Sequence, residues 1–146
     1  MEESISLKDQ INQIFGKNAA DYKQYSGLTL AYIGDAVFDL IIRTLLVENG
    51  NIPVNHLHKK ASRVVKAQTQ AALIHAIEED LTEQECFIYK RGRNAKSVTS
   101  AKNASIHDYR TATGLEALVG YLYLDNQMER ALLLMKTGLD RIGESI

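Results

Sequence analysis

Residues 28–47 read LTLAYIGDAVFDLIIRTLLV, a stretch in which apolar side chains surround most of the axis of a helix. A helix that is apolar on most sides is buried in a core or in an interface. The next residues, Asn49-Gly50-Asn51, tolerate the left-handed backbone conformation that ends many helices. This stretch therefore predicts one long and largely buried helix.

The rest of the chain also carries helical patterns. Pro53 suits a first helical turn, and Thr82 with Glu85 forms the pattern of a capping box. The other predicted helical ranges are 6–14, 21–26, 53–77, 82–90, 106–124 and 127–142, with a loop over 91–105. Because no segment shows sustained strand alternation, the sequence predicts an all-α fold in which residues 1–146 form a single domain.

Composition excludes several classes of protein. The chain has 146 residues, of which 45% are hydrophobic and 24% charged, as in ordinary globular domains. It has no run of about 18 apolar residues, and its opening MEESISLKDQ lacks the features of a secretion signal. Its one cysteine, Cys86, cannot form an intrachain disulfide, and no Cys/His cluster has zinc-ligand spacing. We expect a cytoplasmic protein without membrane contact.

Charge is segregated along the chain although the net charge is only −1. Residues 56–76 hold four Lys or Arg residues and no acid, and residues 86–106 hold five and no acid. Acids are concentrated at the N-terminus, at 78–85 and near the C-terminus. A nearly neutral protein with separated basic segments can present a face that binds a polyanion.

Two basic segments are the candidate nucleic-acid-binding elements. The first lies on a predicted helix, where Lys59, Arg63 and Lys66 recur at i, i+4 and i+7. The second, KRGRNAKS, lies in the predicted loop, where its polar side chains could reach phosphate or ribose oxygens. The full candidate set is His58, Lys59, Lys60, Arg63, Lys66, Lys90, Arg91, Arg93, Asn94, Lys96 and Ser97. A solvated helix face and a generic polar connection are the alternatives. Because the loop lacks aromatic residues, duplex binding by backbone and shape fits better than stacking on single strands.

Asp35 and Glu116 are the candidate catalytic and metal-binding residues. Each carboxylate lies within an apolar helical segment, where an ionised group is costly unless it is paired or binds a metal. A structural pair with a base or hydroxyl is the alternative for each. Magnesium takes oxygen ligands, often one or two carboxylates completed by water and substrate phosphate. Asp39, one turn after Asp35, could assist at the margin.

Gly34 and Gly120 lie close to these two acids in the sequence. Glycine inside a helix costs about 1 kcal/mol relative to alanine. Its presence in both segments suggests close approach of the two backbones, which would bring Asp35 and Glu116 together.

The strings AYIGDAVFD at 31–39 and LEALVGYLYLD at 115–125 resemble the two signature motifs of the ribonuclease III catalytic domain. LHKKASRVVKAQTQA at 57–71 and KRGRNAKS at 90–97 are similar to its stand-alone branch, Mini-ribonuclease III. The resemblance runs from Gly27 to the C-terminal helix, and its four ordered motifs make it specific.

This resemblance implies an all-helical homodimer whose signature helix lies near the dimer interface. It implies Mg²⁺-dependent hydrolysis of both strands of double-stranded RNA, leaving 5′-phosphate and 3′-hydroxyl ends. Asp35 matches the signature aspartate of the family, and Glu116 matches the glutamate of the second motif. The usual role of this branch is maturation of large-subunit (23S) ribosomal RNA, with a ribosomal protein or a pre-ribosomal particle as a possible partner.

The chain departs from the family pattern at three positions. Leu28, Ala31 and Thr113 stand where typical members have carboxylates. No C-terminal double-stranded-RNA-binding domain follows the second motif, so we expect the catalytic domain itself to bind the duplex. Two alternatives remain open: an inactive RNA-binding or ribosome-assembly module of the same fold, and a helical protein that binds an acidic partner.

Overall fold

The computed structural model describes residues 5–96 and 105–146, and every regular element in these two ranges is helical. The α-helices are α1 (Leu7–Phe15), α2 (Gly27–Glu48), α3 (Val54–Val65), α4 (Ala67–Ile77), α5 (Glu83–Asn94), α6 (Ile106–Leu124) and α7 (Met128–Arg141). Short 3₁₀ turns lie at Tyr22–Gln24 and Glu78–Asp80. The predicted all-α fold is confirmed. In the described part of the chain, no helix has the length and apolar character needed to cross a bilayer.

Hydroxyl side chains begin several of these helices. The Ser26 side chain accepts a hydrogen bond from the Thr29 backbone N–H at the start of α2. At the start of α5, Thr82 and Glu85 exchange the two hydrogen bonds of a capping box, as the sequence predicts. These bonds satisfy backbone N–H groups that have no partner inside the helix, so they fix where each helix begins.

The core is built around α6, which contacts α2, α4, α5 and α7. Its residues Leu115, Leu118 and Leu122 are almost fully buried. From α2, Leu30, Phe38 and Ile42 meet this core and are equally buried. The opposite side of α2 is exposed, with Leu40 54% and Val47 59% accessible. The long apolar helix therefore buries one face in the core and leaves another apolar face uncovered.

Helices α2 and α6 touch through their backbones, as the two glycines predict. A Cβ atom built on Gly34 would lie 1.7 Å from the carbonyl oxygen of Glu116. One built on Gly120 would lie 2.0 Å from the carbonyl oxygen of Leu30. No side chain larger than hydrogen fits at either position without moving a helix, so both glycines are required by the crossing.

The predicted loop over 91–105 is partly wrong, because α5 continues to Asn94. Helix formation continues past Gly92, whose Cα atom packs against the start of α2. A Cβ on Gly27 would lie 2.8 Å from that atom. The Arg91 guanidinium also donates hydrogen bonds to the backbone carbonyls of Lys23 and Tyr25. Tertiary packing therefore overrides the low helix propensity of glycine.

A second correction concerns Lys66. Helix α3 ends at Val65, and Lys66 has an extended backbone (φ −66°, ψ 152°) between α3 and α4. It therefore does not continue the helix face of Lys59 and Arg63. The other predicted helix ends agree with the structure within two residues. Ser97 and the remainder of the predicted loop up to residue 104 lie outside the described residues.

Candidate active site

A polar cleft of about 450 Å³ lies where α2 and α6 cross. Tyr32 and Asp35 enter it from one face of α2, since they are three residues apart. Tyr109, Thr113 and Glu116 enter it from one face of α6 at i, i+4 and i+7. The close glycine crossing therefore places both candidate catalytic carboxyls in one cleft.

Asp35 and Glu116 form a hydrogen-bonded carboxyl pair. Asp35 is exposed and Glu116 is partly buried, so the expected apolar surroundings hold for only one of them. Burial, followed by the hydrogen bond and negative charge of Asp35, raises the pKa of Glu116 from 4.5 to about 9. Glu116 therefore retains its proton at neutral pH in the metal-free protein. A cation that replaced this proton would remove the repulsion between the two carboxylates.

Gln70 of α4 also contacts Glu116, and sequence reasoning missed it. Its side chain is only 3% exposed and partly offsets the rise in the pKa of Glu116. The available signal was its position in a buried stripe, where Leu73, Ile74 and Ile77 follow at i+3, i+4 and i+7. A polar residue at the head of such a stripe indicates a buried polar partner.

The acids absent from the chain would have belonged to this same cleft. Leu28, Ala31 and Thr113 all line it. The Thr113 hydroxyl donates to the Tyr109 carbonyl within its own helix. In residues 5–96 and 105–146, no three His, Cys, Asp or Glu side chains cluster in a way that could hold a metal. The described part of the cleft therefore offers a cation two carboxylates.

Two carboxylates are compatible with Mg²⁺. This ion commonly binds one or two carboxylates and fills its octahedron with water and substrate phosphate oxygens. The carboxyl pair fits such an ion because the two groups lie close together in one cleft and a cation between them would remove their repulsion. Asp39 lies outside this arrangement, since its carboxylate pairs with Arg43 at 2.8 Å.

The first basic segment lies on α3 and in the connection between α3 and α4. His58, Lys59, Lys60, Arg63 and Lys66 are all exposed. Arg63 forms an ion pair with Glu144 (Nε to Oε2, 3.1 Å), so part of its charge is compensated. Lys66 precedes α4, and Gln70 follows four residues later. At a rise of about 1.5 Å per residue, Lys66 therefore lies about 6 Å along the helix from the residue that touches Glu116.

The second basic segment borders the cleft. A Cβ on Gly92 would lie 3.2 Å from the carbonyl oxygen of Thr113, so the end of α5 adjoins the cleft wall. Lys90, Asn94 and Lys96 are exposed near this end.

Its two arginines are already engaged. The Arg93 guanidinium lies over the Tyr89 ring, 5.5 Å from its centre. Arg91 lies over the Phe87 ring at 4.7 Å and also holds two backbone carbonyls. Arg91 is therefore fixed in the fold.

Comparison with known proteins identifies relatives along most of the chain. The model of the ribonuclease III domain matches residues 28–127. Mini-ribonuclease 3 of Clostridium tetani is 52% identical over 126 residues, covering 86% of this chain and 83% of that protein. Mini-ribonuclease 3 of Enterococcus faecalis is 50% identical over 127 residues, covering 86% and 96%. A crystal structure of a Fusobacterium nucleatum protein is similar, with a TM-score of 0.76, 31% identity and coverage of 84% and 94%.

Proposed function

This chain belongs to the ribonuclease III family, and from that premise we propose that it is an endoribonuclease that cuts double-stranded RNA with the help of Mg²⁺. The observation that carries the proposal is that Asp35 and Glu116 lie together in one cleft, whose wall is adjoined by the basic end of α5. The chain spans most of the length of its curated relatives, so residues 1–146 are proposed to act as one catalytic domain.

In the proposed reaction, Asp35 and Glu116 hold the metal ion. Bound there, Mg²⁺ supplies stabilisation for the charge that develops on the phosphodiester and lowers the pKa of an attacking water. Glu116 must release its proton before it can act as a ligand, because a protonated carboxyl binds a cation poorly. Water attacks phosphorus and the 3′ oxygen leaves, which gives a 5′-phosphate and a 3′-hydroxyl.

The proposed grip on RNA is electrostatic. Exposed lysines on α3 and near the end of α5, including Lys59, Lys60, Lys90 and Lys96, would contact phosphates on either side of the cleft. His58, Arg63, Lys66, Arg93, Asn94 and Ser97 complete the proposed set, and Arg91 would support it by fixing the end of α5. In the cleft, Tyr32 is 82% exposed and lies one turn from Asp35, where it can contact ribose or phosphate.

We further propose that the protein acts as a homodimer in the cytoplasm on a precursor of 23S ribosomal RNA, with a ribosomal protein or pre-ribosomal particle as a partner. The exposed apolar face of α2 supports a dimer, because Leu40 and Val47 would be covered by a second copy. The proposed RNA substrate rests on the resemblance of both basic segments to the Mini-ribonuclease III branch.

A second candidate is an inactive RNA-binding or ribosome-assembly module. It is favoured by Leu28, Ala31 and Thr113, which leave the cleft with fewer carboxylates than typical members of the family. The two proposals differ in whether the protein cleaves duplex RNA, and both predict that it binds duplex RNA.

Cleavage of labelled RNA separates the two candidates. The protein should cut a plain duplex in Mg²⁺, leave a single strand of the same sequence intact, and stop when EDTA is added. Product ends should carry a 5′-phosphate. Duplex binding without any cleavage in Mg²⁺ or Mn²⁺ would establish the assembly module, and failure to bind duplex RNA at low salt would exclude both.

A further inference from the structure

We propose that His75 and His107 form a surface site for a transition-metal ion of the Zn²⁺ class, separate from the carboxyl pair in the cleft. Imidazole nitrogens suit Zn²⁺, Cu²⁺ and Ni²⁺, whereas Mg²⁺ prefers oxygen ligands. The proposed site has two protein ligands, and water would complete its coordination. It requires neither RNA nor catalysis, so its test is independent of the proposed nuclease function.

The two imidazoles are brought together by the packing of α4 against α6. His75 lies in the last turn of α4, and His107 lies in the first turn of α6. Their rings are nearly parallel, with an interplanar angle of 10° and a distance of 5.8 Å between the ring centres. Both residues are exposed, so an ion and its water ligands can reach them from solvent.

This spacing is compatible with one shared ion. A Zn–N bond is about 2.0 to 2.1 Å long, so two nitrogens on a tetrahedral Zn²⁺ lie about 3.4 Å apart, and the ring centres lie farther apart than that. The 5.8 Å between the ring centres meets this requirement. Because both side chains are exposed, each ring can turn towards the ion without movement of its helix.

Glu78 defines which nitrogen of His75 is available to a metal. Its Oε1 atom lies 3.2 Å from His75 Nδ1. A carboxylate can only accept hydrogen bonds, so Nδ1 carries the hydrogen and the lone pair of the neutral ring lies on Nε2. Histidine ligands of metals commonly donate their second N–H to a carboxylate in this way, which fixes the ring and raises its basicity.

The Glu78 carboxylate is itself held from the core. The same Oε1 atom accepts a hydrogen bond from the Tyr89 hydroxyl at 3.2 Å, and Tyr89 is only 1% exposed. Tyr89 extends from α5, so a chain of hydrogen bonds links His75 to a packed helix. The proposed site therefore combines two nitrogen ligands with an outer hydrogen-bond partner that is anchored in the core.

A bound ion would join the end of α4 to the start of α6. The same helix α6 carries the cleft residues Tyr109, Thr113 and Glu116. The two histidines are distant in the sequence, so the unfolded chain does not present them together. An ion that binds only the folded protein stabilises it, so Zn²⁺ should raise the melting temperature.

Calorimetric titration of the RNA-free protein with Zn²⁺, in buffer with excess Mg²⁺, tests the site. His107→Gln should weaken Zn²⁺ binding by at least about 10-fold, since losing a ligand costs no less than losing its hydrogen-bond partner. It should also abolish the rise in melting temperature. His56→Gln is the matched control, because it removes another exposed histidine from a different helix, α3, and should bind Zn²⁺ as wild type does.

Nuclear magnetic resonance of the imidazole nitrogens locates the ion. Zn²⁺ should shift the signals of His75 Nε2 and of one His107 ring nitrogen, and leave those of His56 and His58 unchanged. If His107→Gln bound Zn²⁺ as tightly as wild type, or if the ring signals of His75 and His107 did not respond to Zn²⁺, the proposed site would be excluded. Two stacked surface rings without a metal-binding role would give the second of these results.

Discussion

At the residue scale, the surroundings of Glu116 lower the stability of the metal-free fold wherever the unfolded chain would be ionised at this position. Its pKa is raised to about 9 first by burial and then by Asp35. An acid whose pKa is higher in the folded than in the unfolded state destabilises the fold once the unfolded chain ionises. The loss of folding stability therefore begins near pH 4.5, grows with pH and levels off above about pH 9.

Glu116→Gln should therefore stabilise the metal-free protein, because glutamine keeps the shape of the side chain and does not titrate. We expect a gain of about 1 to 3 kcal/mol in the free energy of unfolding at pH 8, falling towards zero near pH 4.5. Urea denaturation in EDTA at both pH values measures it.

The exposed Glu48 provides the matched control, since Glu48→Gln changes the same chemical group at the protein surface. If the stability gained by Glu116→Gln did not increase between pH 4.5 and pH 8, the result would contradict the raised pKa of Glu116.

At the scale of the helices, the crossing of α2 and α6 is what brings the two acids together. A Cβ on Gly34 would meet backbone atoms of Glu116, which cannot move without displacing the helix. A Cβ on Gly138 would meet mainly the Leu73 side chain, at 2.7 Å, and that side chain can shift. The two glycines therefore differ in what a methyl group would disturb.

Gly34→Ala should destabilise the fold by more than about 3 kcal/mol or prevent folding, because overpacking against backbone exceeds the usual cost of 1 to 3 kcal/mol. Gly138→Ala should stay near or below that range. Melting temperatures of the two variants measure the difference. Equal effects would show that the helices can separate at the crossing without penalty.

Sequence patterns predicted most of these elements because local signals coincide with the packing. The Thr82–Glu85 capping box, the apolar α2 and the glycine crossing were each legible in the chain. The end of α5 was not, because Gly92 and Arg91 are held by contacts with residues more than 60 positions away. Lys66 was predicted on the same helix face as Lys59 and Arg63 because the break between α3 and α4 contains no Gly or Pro that would mark it.

Within the candidate site, the sequence identified both acids and missed what surrounds them. Asp35 and Glu116 were recognisable as charges among apolar residues. The contact of Gln70 with Glu116 depends on how α4 packs against α6, and single-chain periodicity does not report that packing. The exposure of Asp35 was also hidden, because its apolar neighbours in sequence point to other sides of α2.

At the scale of the whole molecule, positive charge is concentrated in two segments although the net charge is −1. Exposed lysines lie on α3 and at the end of α5, and the end of α5 adjoins the wall of the cleft. Binding that depends on phosphate neutralisation weakens as salt rises, by about one unit of log–log slope for each contact.

Lys59→Glu with Lys60→Glu should weaken duplex binding and flatten its salt dependence by about 1 to 2 units of slope. Lys136→Glu on α7 is the matched control, because this exposed lysine pairs with Asp140 and lies outside both basic segments. Fluorescence anisotropy at several salt concentrations gives both slopes. A slope identical to wild type in the double variant would remove α3 from the RNA interface.

The central claim is that two carboxyls, Asp35 and Glu116, are sufficient protein ligands for Mg²⁺-dependent cleavage. The most direct test is single-turnover cleavage of a saturating RNA duplex in Mg²⁺ by wild type, Asp35→Asn and Glu116→Gln. The account predicts cleavage by wild type and a loss of at least about 100-fold in each variant, with duplex affinity retained. Cleavage at the wild-type rate by either variant would contradict it.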